Sequence, residues 1–224
     1  MKKTTILFIL FLTGIMQAQD RPQPKPGKAP VVNIKKPQTF VLANGLKVMI
    51  VEDHKLPRVS YNLTLDNAPF AEGNKKGVDN LTSSLIGNGS KKIAKDIFNE
   101  EIDFFGANVN FSSQGAFASS LSKYALRILE LMADGALNPN FTQEEFDKEK
   151  AKLLEGLKAE EKSVPAIAAR VGDALAFGKN HPSGEFTTVE TLNNVTLADV
   201  QKNYQNYFVP ENAYLVVIGD VKYN

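Results

Sequence analysis

The sequence predicts an α+β domain. Two observations lead there. Apolar and polar residues alternate on both sides of Asn44-Gly45, and short strand-like runs flank Gln114-Gly115. Apolar residues at helical spacing fill most of the chain between residues 77 and 207. A continuous apolar run at residues 213–218 then reads as a last, buried strand.

Residues 1–18 read as a secretory signal peptide. Lys2 and Lys3 give a basic start, residues 6–15 an apolar run too short to span a bilayer, and Ala18 a cleavage point. Cleavage there takes the formal net charge from +1 to −1. A near-neutral exported chain has no electrostatic case for nucleic acid. With no cysteine there is no disulfide, no thiolate nucleophile and no thiolate metal ligand. A short signal without cysteines fits a bacterial envelope. The expected location is the periplasm, with no membrane span after cleavage. Residues 19–37 hold Pro22, Pro24, Pro26 and Pro30 among lysines and read as an extended linker. Residues 38–224 are left as the domain.

Within it, Phe40 and Leu42 alternate before Asn44-Gly45, and Leu46, Val48 and Ile50 after it. Asn-Gly favours a type I′ turn, so a hairpin is expected. The next strand spans 59–65, and His54 sits between in a polar turn, where a lone histidine is solvated rather than a ligand. Residues 92–105 read as a helix burying Ile93, Ile97, Phe98, Ile102 and Phe105. Strands at 107–111 and 116–121 follow. A helix over 121–137 carries Leu126, Leu129 and Ala133 on one face. Thr142 and Glu145 form a capping box for a helix reaching about residue 163. Pro165 opens a helix that buries Ile167, Val171, Ala174 and Leu175 and ends at Gly178. His181 lies in a turn. Thr196 and Asp199 start a last helix.

One stretch carries more than fold. In residues 77–90, Val78, Leu81, Leu85 and Ile86 form one apolar stripe, and Gly87 and Gly89 end the helix. The pattern of a glycine, an apolar helix and a terminal Gly-Ser resembles the active-site helix of the insulinase/pitrilysin family, the inverted zincins related to the mitochondrial processing peptidase. Their signature is H-x-x-E-H. On that frame the two histidines fall on Asn80 and Ser84, and the glutamate on Ser83. Further along, Glu149-Lys150 and Pro165 resemble the segment that supplies the third zinc ligand, which places that ligand on Gly156. Glu155 is one residue off, about 100° round the helix. Asn44-Gly45, the Gly106-Ala107-Asn108 phrase, His181-Pro182 and Gly219-Asp220-Val221 also resemble family segments.

The resemblance implies a mixed, mainly antiparallel sheet packed against several helices, one half-domain of a kind that works in facing pairs. It implies a second domain missing from this chain, which is then a fragment or a single-domain form. It also implies that Ala107, Asn108 and Asn110 border the substrate cleft, where peptide adds as a strand. Zinc needs imidazole or carboxylate donors and a general base. Asn80, Ser83, Ser84 and Gly156 supply neither, so no catalytic residue, no metal ligand and no cofactor is expected. The reading is an exported, non-catalytic homologue that pairs with an active zinc-peptidase subunit or domain and helps enclose extended peptide. The alternatives are an active zinc metallopeptidase with atypical ligands and a structural envelope protein.

Overall fold

The hairpin at Asn44-Gly45 begins a six-stranded sheet. A computed structural model describes residues 23–24, 26–29 and 36–223. The expected signal peptide lies outside the described residues, as does most of the linker. Residues 23–24, 26–29 and 36–37 are exposed and form neither helix nor strand. The strands are β1 Gln38–Val41, β2 Lys47–Glu52, β3 Arg58–Leu65, β4 Asn108–Ser112, β5 Gly115–Leu121 and β6 Ala213–Gly219, in the spatial order β1-β2-β6-β3-β5-β4. Every pairing is antiparallel except β2 with β6. The α+β class and the mixed, mainly antiparallel sheet are therefore as expected.

The hairpin forms, but not through a type I′ turn. That turn needs positive φ at both central residues, and only Gly45 has it, at 90°. The Gly45 N–H donates to the Leu42 carbonyl at 2.9 Å, and the Leu46 N–H to Asn44 Oδ1 at 3.2 Å. A turn closed by one left-handed glycine is the bulged alternative, one residue longer.

The helices are α1 Val78–Leu85, α2 Lys95–Phe104, α3 Ala125–Leu137, α4 Gln143–Glu160, α5 Val164–Phe177, α6 Val189–Asn193 and α7 Leu197–Tyr207. Period-two alternation sends Val59, Tyr61, Ala116, Ala118 and Val217 to one sheet face. There they pack with Phe98 and Ile102 of α2 and with Ile128, Leu131, Met132 and Ala136 of α3. A second cluster joins Val78, Leu81 and Leu85 of α1 to Phe146 of α4, Leu192 and Val195 around α6, and Val200 of α7.

Several apolar residues expected inside are exposed. Ile97 lies on the solvent side of α2, and Leu126 on that of α3. In α3 the sheet takes the neighbouring stripe, Ile128, Leu131 and Met132, a rotation that helical periodicity alone does not fix. Ile167, Val171 and Leu175 of α5 are exposed too, and α5 buries no residue. β6 is central but covered on one face only, so Ile218 is half-exposed. The capping box of α4 is half made. Thr142 accepts from the Glu145 N–H, but the Glu145 carboxylate pairs with Lys95 at 2.8 Å. α6, with its complete Thr188–Thr191 capping box, is an addition to the expected elements.

Phe98 is fully buried between sheet and α3. Phe98→Ala removes its contacts and leaves a cavity, so urea unfolding should show a loss of about 3–5 kcal/mol. The same measurement on Leu126→Ala, at an exposed position, should fall within about 0.5 kcal/mol of wild type.

Candidate functional site

The site is built on α1, and α1 is held at its N-terminus from a distance. Gly77, at φ 112°, supplies no side-chain cap. The Glu72 carboxylate fills that place, accepting the Gly77 N–H at 2.9 Å and the Asp79 N–H at 3.0 Å. A negative charge there also suits the helix dipole. Lys76 Nζ lies 2.6 Å from Glu72 and 3.3 Å from Glu185, and both carboxylates are nearly buried. Burial alone would lower the Lys76 pKa, but these two carboxylates outweigh it and raise it. Burial works likewise against Glu185, and the N–H groups of Glu72 and Gly73 with Lys76 nevertheless hold its pKa below the usual range.

The Asp79 carboxylate ties the first turn of α1 to its neighbours. Ser113 Oγ, in the β4–β5 turn, donates to Asp79 Oδ2 at 2.7 Å. Asn203 Nδ2 of α7 donates to Asp79 Oδ1 at 3.2 Å and to Thr82 Oγ1 at 3.1 Å. Ser83 joins the same network: its Oγ donates to Ser113 Oγ at 2.8 Å and accepts the Ser113 N–H at 2.9 Å. Ser84 Oγ turns back to the Asn80 carbonyl at 3.0 Å, and Asn80 itself is exposed. Asn80, Ser83 and Ser84 thus share one side of α1, opposite the buried stripe.

Gly156 lies on the exposed part of α4, and a Cβ built on it meets nothing within 4 Å. Packing does not require a glycine there. Glu155 is also exposed. This donor set offers zinc one amide and two engaged hydroxyls, with no imidazole and no carboxylate among the four positions. Among the described residues, no group of three or more His, Asp or Glu side chains is placed to hold a metal ion.

β4 is the sheet edge on the side of α1. Asn108 pairs with Ser119 and Asn110 with Phe117, on the face away from the helices, and Asn110 Nδ2 donates to Asn108 Oδ1 at 2.7 Å. Ala107 precedes the strand and packs toward the core with Val109 and Phe111. The structure therefore places Asn108 and Asn110 together and Ala107 apart from them.

The two histidines lie elsewhere. His181 Nδ1 accepts the Ser183 N–H at 3.1 Å, and its ring stacks on Phe177. His54 is not simply solvated. Nδ1 lies 2.7 Å from Asp220 and Nε2 3.3 Å from Glu52. The hydrogen bond to Asp220, then that to Glu52, raises its pKa above 6.5.

The insulinase family model, peptidase family M16, matches residues 47–182, more than half of the chain. The chain belongs to the insulinase family. No curated protein matches it. Among solved structures, the inactive M16 peptidase domain from Pseudomonas fluorescens superposes with a TM-score of 0.75 at 23% identity, over 84% of this chain and 47% of that one. A protease from Helicobacter pylori gives 0.74 at 22% identity, with the same coverages. The periplasmic protease PqqL from Escherichia coli gives 0.67 at 21%, over 87% of this chain and 23% of that one. At these identities the likeness concerns the fold. The chain spans about half the length of the first two. α1, the helix on which the sequence frame put the signature positions, lies within the matched residues. Asp79, Ser113 and Asn203 escaped the sequence reading. Asn203 gives the one available hint, a polar residue among the buried positions of α7.

Two outcomes follow. Ser83→Ala and Ser113→Ala should each cost about 1–3 kcal/mol in urea unfolding, because each leaves a partly buried partner unsatisfied. The double variant should cost less than the sum, and additivity would show the two are not coupled. Asp220 and Glu52 favour the protonated ring of His54, so their contribution is present below pH 6.5 and is lost as pH rises through the raised folded-state value. The melting temperature should fall across that window, and less so in His54→Gln. An NMR midpoint for His54 at or below 6.5 would contradict the interaction.

Proposed function

We propose that this insulinase-type domain is a non-catalytic half, exported to the periplasm, which pairs with an active zinc-peptidase homologue or domain and helps hold extended peptide. The observation that carries this is the Ser83 hydroxyl. At the position of the family's general base stands a group that gives its proton to Ser113 and accepts the Ser113 N–H. It is engaged in holding α1 to the β4–β5 turn and has no base to activate a water. With Asn80, Ser84 and Gly156 at the ligand positions, the domain works without zinc.

What such a half retains is surface. β4 leaves one side of its backbone unpaired at the sheet edge, the arrangement to which an extended peptide adds as a further strand. Asn108 and Asn110 stand on the open face of that edge, where their amides meet polar groups of a bound chain. The pairing half is supported by length, since this domain accounts for about half of the matched structures. Export is supported by the basic and apolar start of the sequence.

The test is metal and peptide binding by the full chain. After equilibration with zinc and gel filtration, wild type should retain no stoichiometric metal and cleave no fluorogenic peptide. The variant N80H/S83E/S84H/G156E should retain about one zinc per chain if the family frame is right. Stoichiometric zinc with chelator-sensitive cleavage by wild type would establish the active-peptidase alternative instead.

A further inference from the structure

The least expected element is α5. Ordinary surface helices put apolar residues inside and charges outside. α5 instead leaves its apolar residues exposed. Val164, Ile167, Val171 and Leu175, at spacings of three and four, are 75%, 44%, 52% and 82% exposed. Ala168 and Gly172 lie beside them, also exposed. The only charged residues of α5 are Arg170 and Asp173, and Arg170 turns back to an ion pair with Glu160 at the end of α4. A helix of 14 residues is marginal in water by its own propensity and gains its stability from packing of its apolar face. Within the described residues that packing is slight, since α5 buries no side chain fully and only Ala166, Arg170 and Ala174 are half-buried.

A second feature lies beside the stripe. A groove of about 450 Å³ runs between α5 and the loop that follows, lined by Ile167, Val171, Leu175 and Phe186. The loop is fixed: Glu185 accepts the N–H groups of Glu72 and Gly73, at 2.8 and 2.9 Å, and Arg170 lies over the Phe186 ring. The apolar surface is therefore preformed.

We infer that the exposed stripe of α5 and the groove at Phe186 are the seat of a second insulinase-type domain. The inference rests on the pairing proposed above and locates it. In the Pseudomonas and Helicobacter structures this fold is 47% of the chain, which leaves a body of similar size to cover it. The stripe from Val164 to Leu175 is about 16 Å long, the scale of an inter-domain contact. A lipid surface fits poorly. Membrane-bound helices carry Lys and Arg along the polar side, whereas α5 itself has one arginine, paired with Glu160, and Lys179, just past its end, adds a single cation to the groove.

The test is photo-crosslinking of the full-length protein in its own cells, with benzoylphenylalanine at Val171 or Leu175, and at Lys152 on α4 as a control. Crosslinked peptides are identified by mass spectrometry, and affinity-purified material is scored for homologous insulinase-type domains. The expected result is crosslinks from residues 171 and 175, and not 152, to peptides of another insulinase-type domain, in the same or a separate chain. Val171→Asp with Leu175→Asp, both exposed, should leave the circular dichroism unchanged and reduce recovery of a separate partner at least tenfold. A homologous domain that binds without crosslinking to 171 or 175 would overturn this surface and leave the pairing intact. Absence of any homologous domain would overturn both. The supporting domain is one of different sequence, so crosslinks to a second copy of this same chain, to lipid or to an unrelated protein would overturn the assignment.

Discussion

The Asp79 carboxylate is the point at which this fold is tied together. One of its oxygens takes the hydroxyl of Ser113 and the other the amide of Asn203. Those partners belong to the β4–β5 turn and to α7, so one side chain links the sheet edge, α1 and the helix that leads into β6. Hydrogen bonds to a charged acceptor are about twice as strong as neutral ones, and Ser113 and Asn203 are themselves nearly buried. Around this link the two apolar clusters divide the work. Phe98, Ile128 and Leu131 hold helices to the sheet, while Leu81, Leu85 and Leu192 hold helices to each other. α1 belongs to the second cluster, and without the Asp79 link its polar bonds to the sheet among the described residues would be the two between Ser83 and Ser113.

The fold was legible where a local rule and the tertiary structure ask for the same thing. Thr196 and Asp199 form a complete capping box, Gly178 ends α5 in positive φ, and alternation in 59–65 matches β3. It was less legible where a rule admits two answers. Asn44-Gly45 fits both a tight turn and a bulged one, and the chain takes the bulged one with Asn44 at negative φ. Apolar residues run around most of α3, so either of two stripes would satisfy periodicity, and packing picked Ile128 and Leu131 over Leu126. The alternation of inward and outward residues along β6 is hidden because both sets are apolar. In the site, the helix that carries Asn80, Ser83 and Ser84 was readable from the sequence. The partners of Ser83 were not, because Ser113 lies thirty residues away and nothing local marks it.

The sheet also shows how a one-sided layer handles its second face. Ser60, Asn62, Thr64 and Ser119 make that face polar near β3 and β5, while Phe117, Leu121 and Ile218 are half-exposed among them. Antiparallel sheets tolerate one solvated face, and at the β4 edge that face carries Asn108 and Asn110 beside Ser119 and the half-exposed Phe117. Edge strands that bear short polar side chains keep their backbone approachable while offering little apolar surface for unspecific pairing.

Fold and chemistry occupy opposite sides of α1, which is why one persists without the other. At 100° per residue, Val78, Leu81, Thr82 and Leu85 cluster on one side, and Asn80, Ser83 and Ser84 on the other. The first set is buried and makes the core contacts. Substitution in the second set costs the core nothing, provided a new side chain finds its own hydrogen bonds. Ser84 does so within the helix and Ser83 through Ser113. Position 156 obeys the same logic, since its side-chain direction opens on empty space and a glycine there disturbs only helix propensity, by about 1 kcal/mol. A scaffold arranged in this way tolerates changes at those positions without losing its shape. On the proposals above, function then falls to the surface, namely the β4 edge and the exposed stripe of α5.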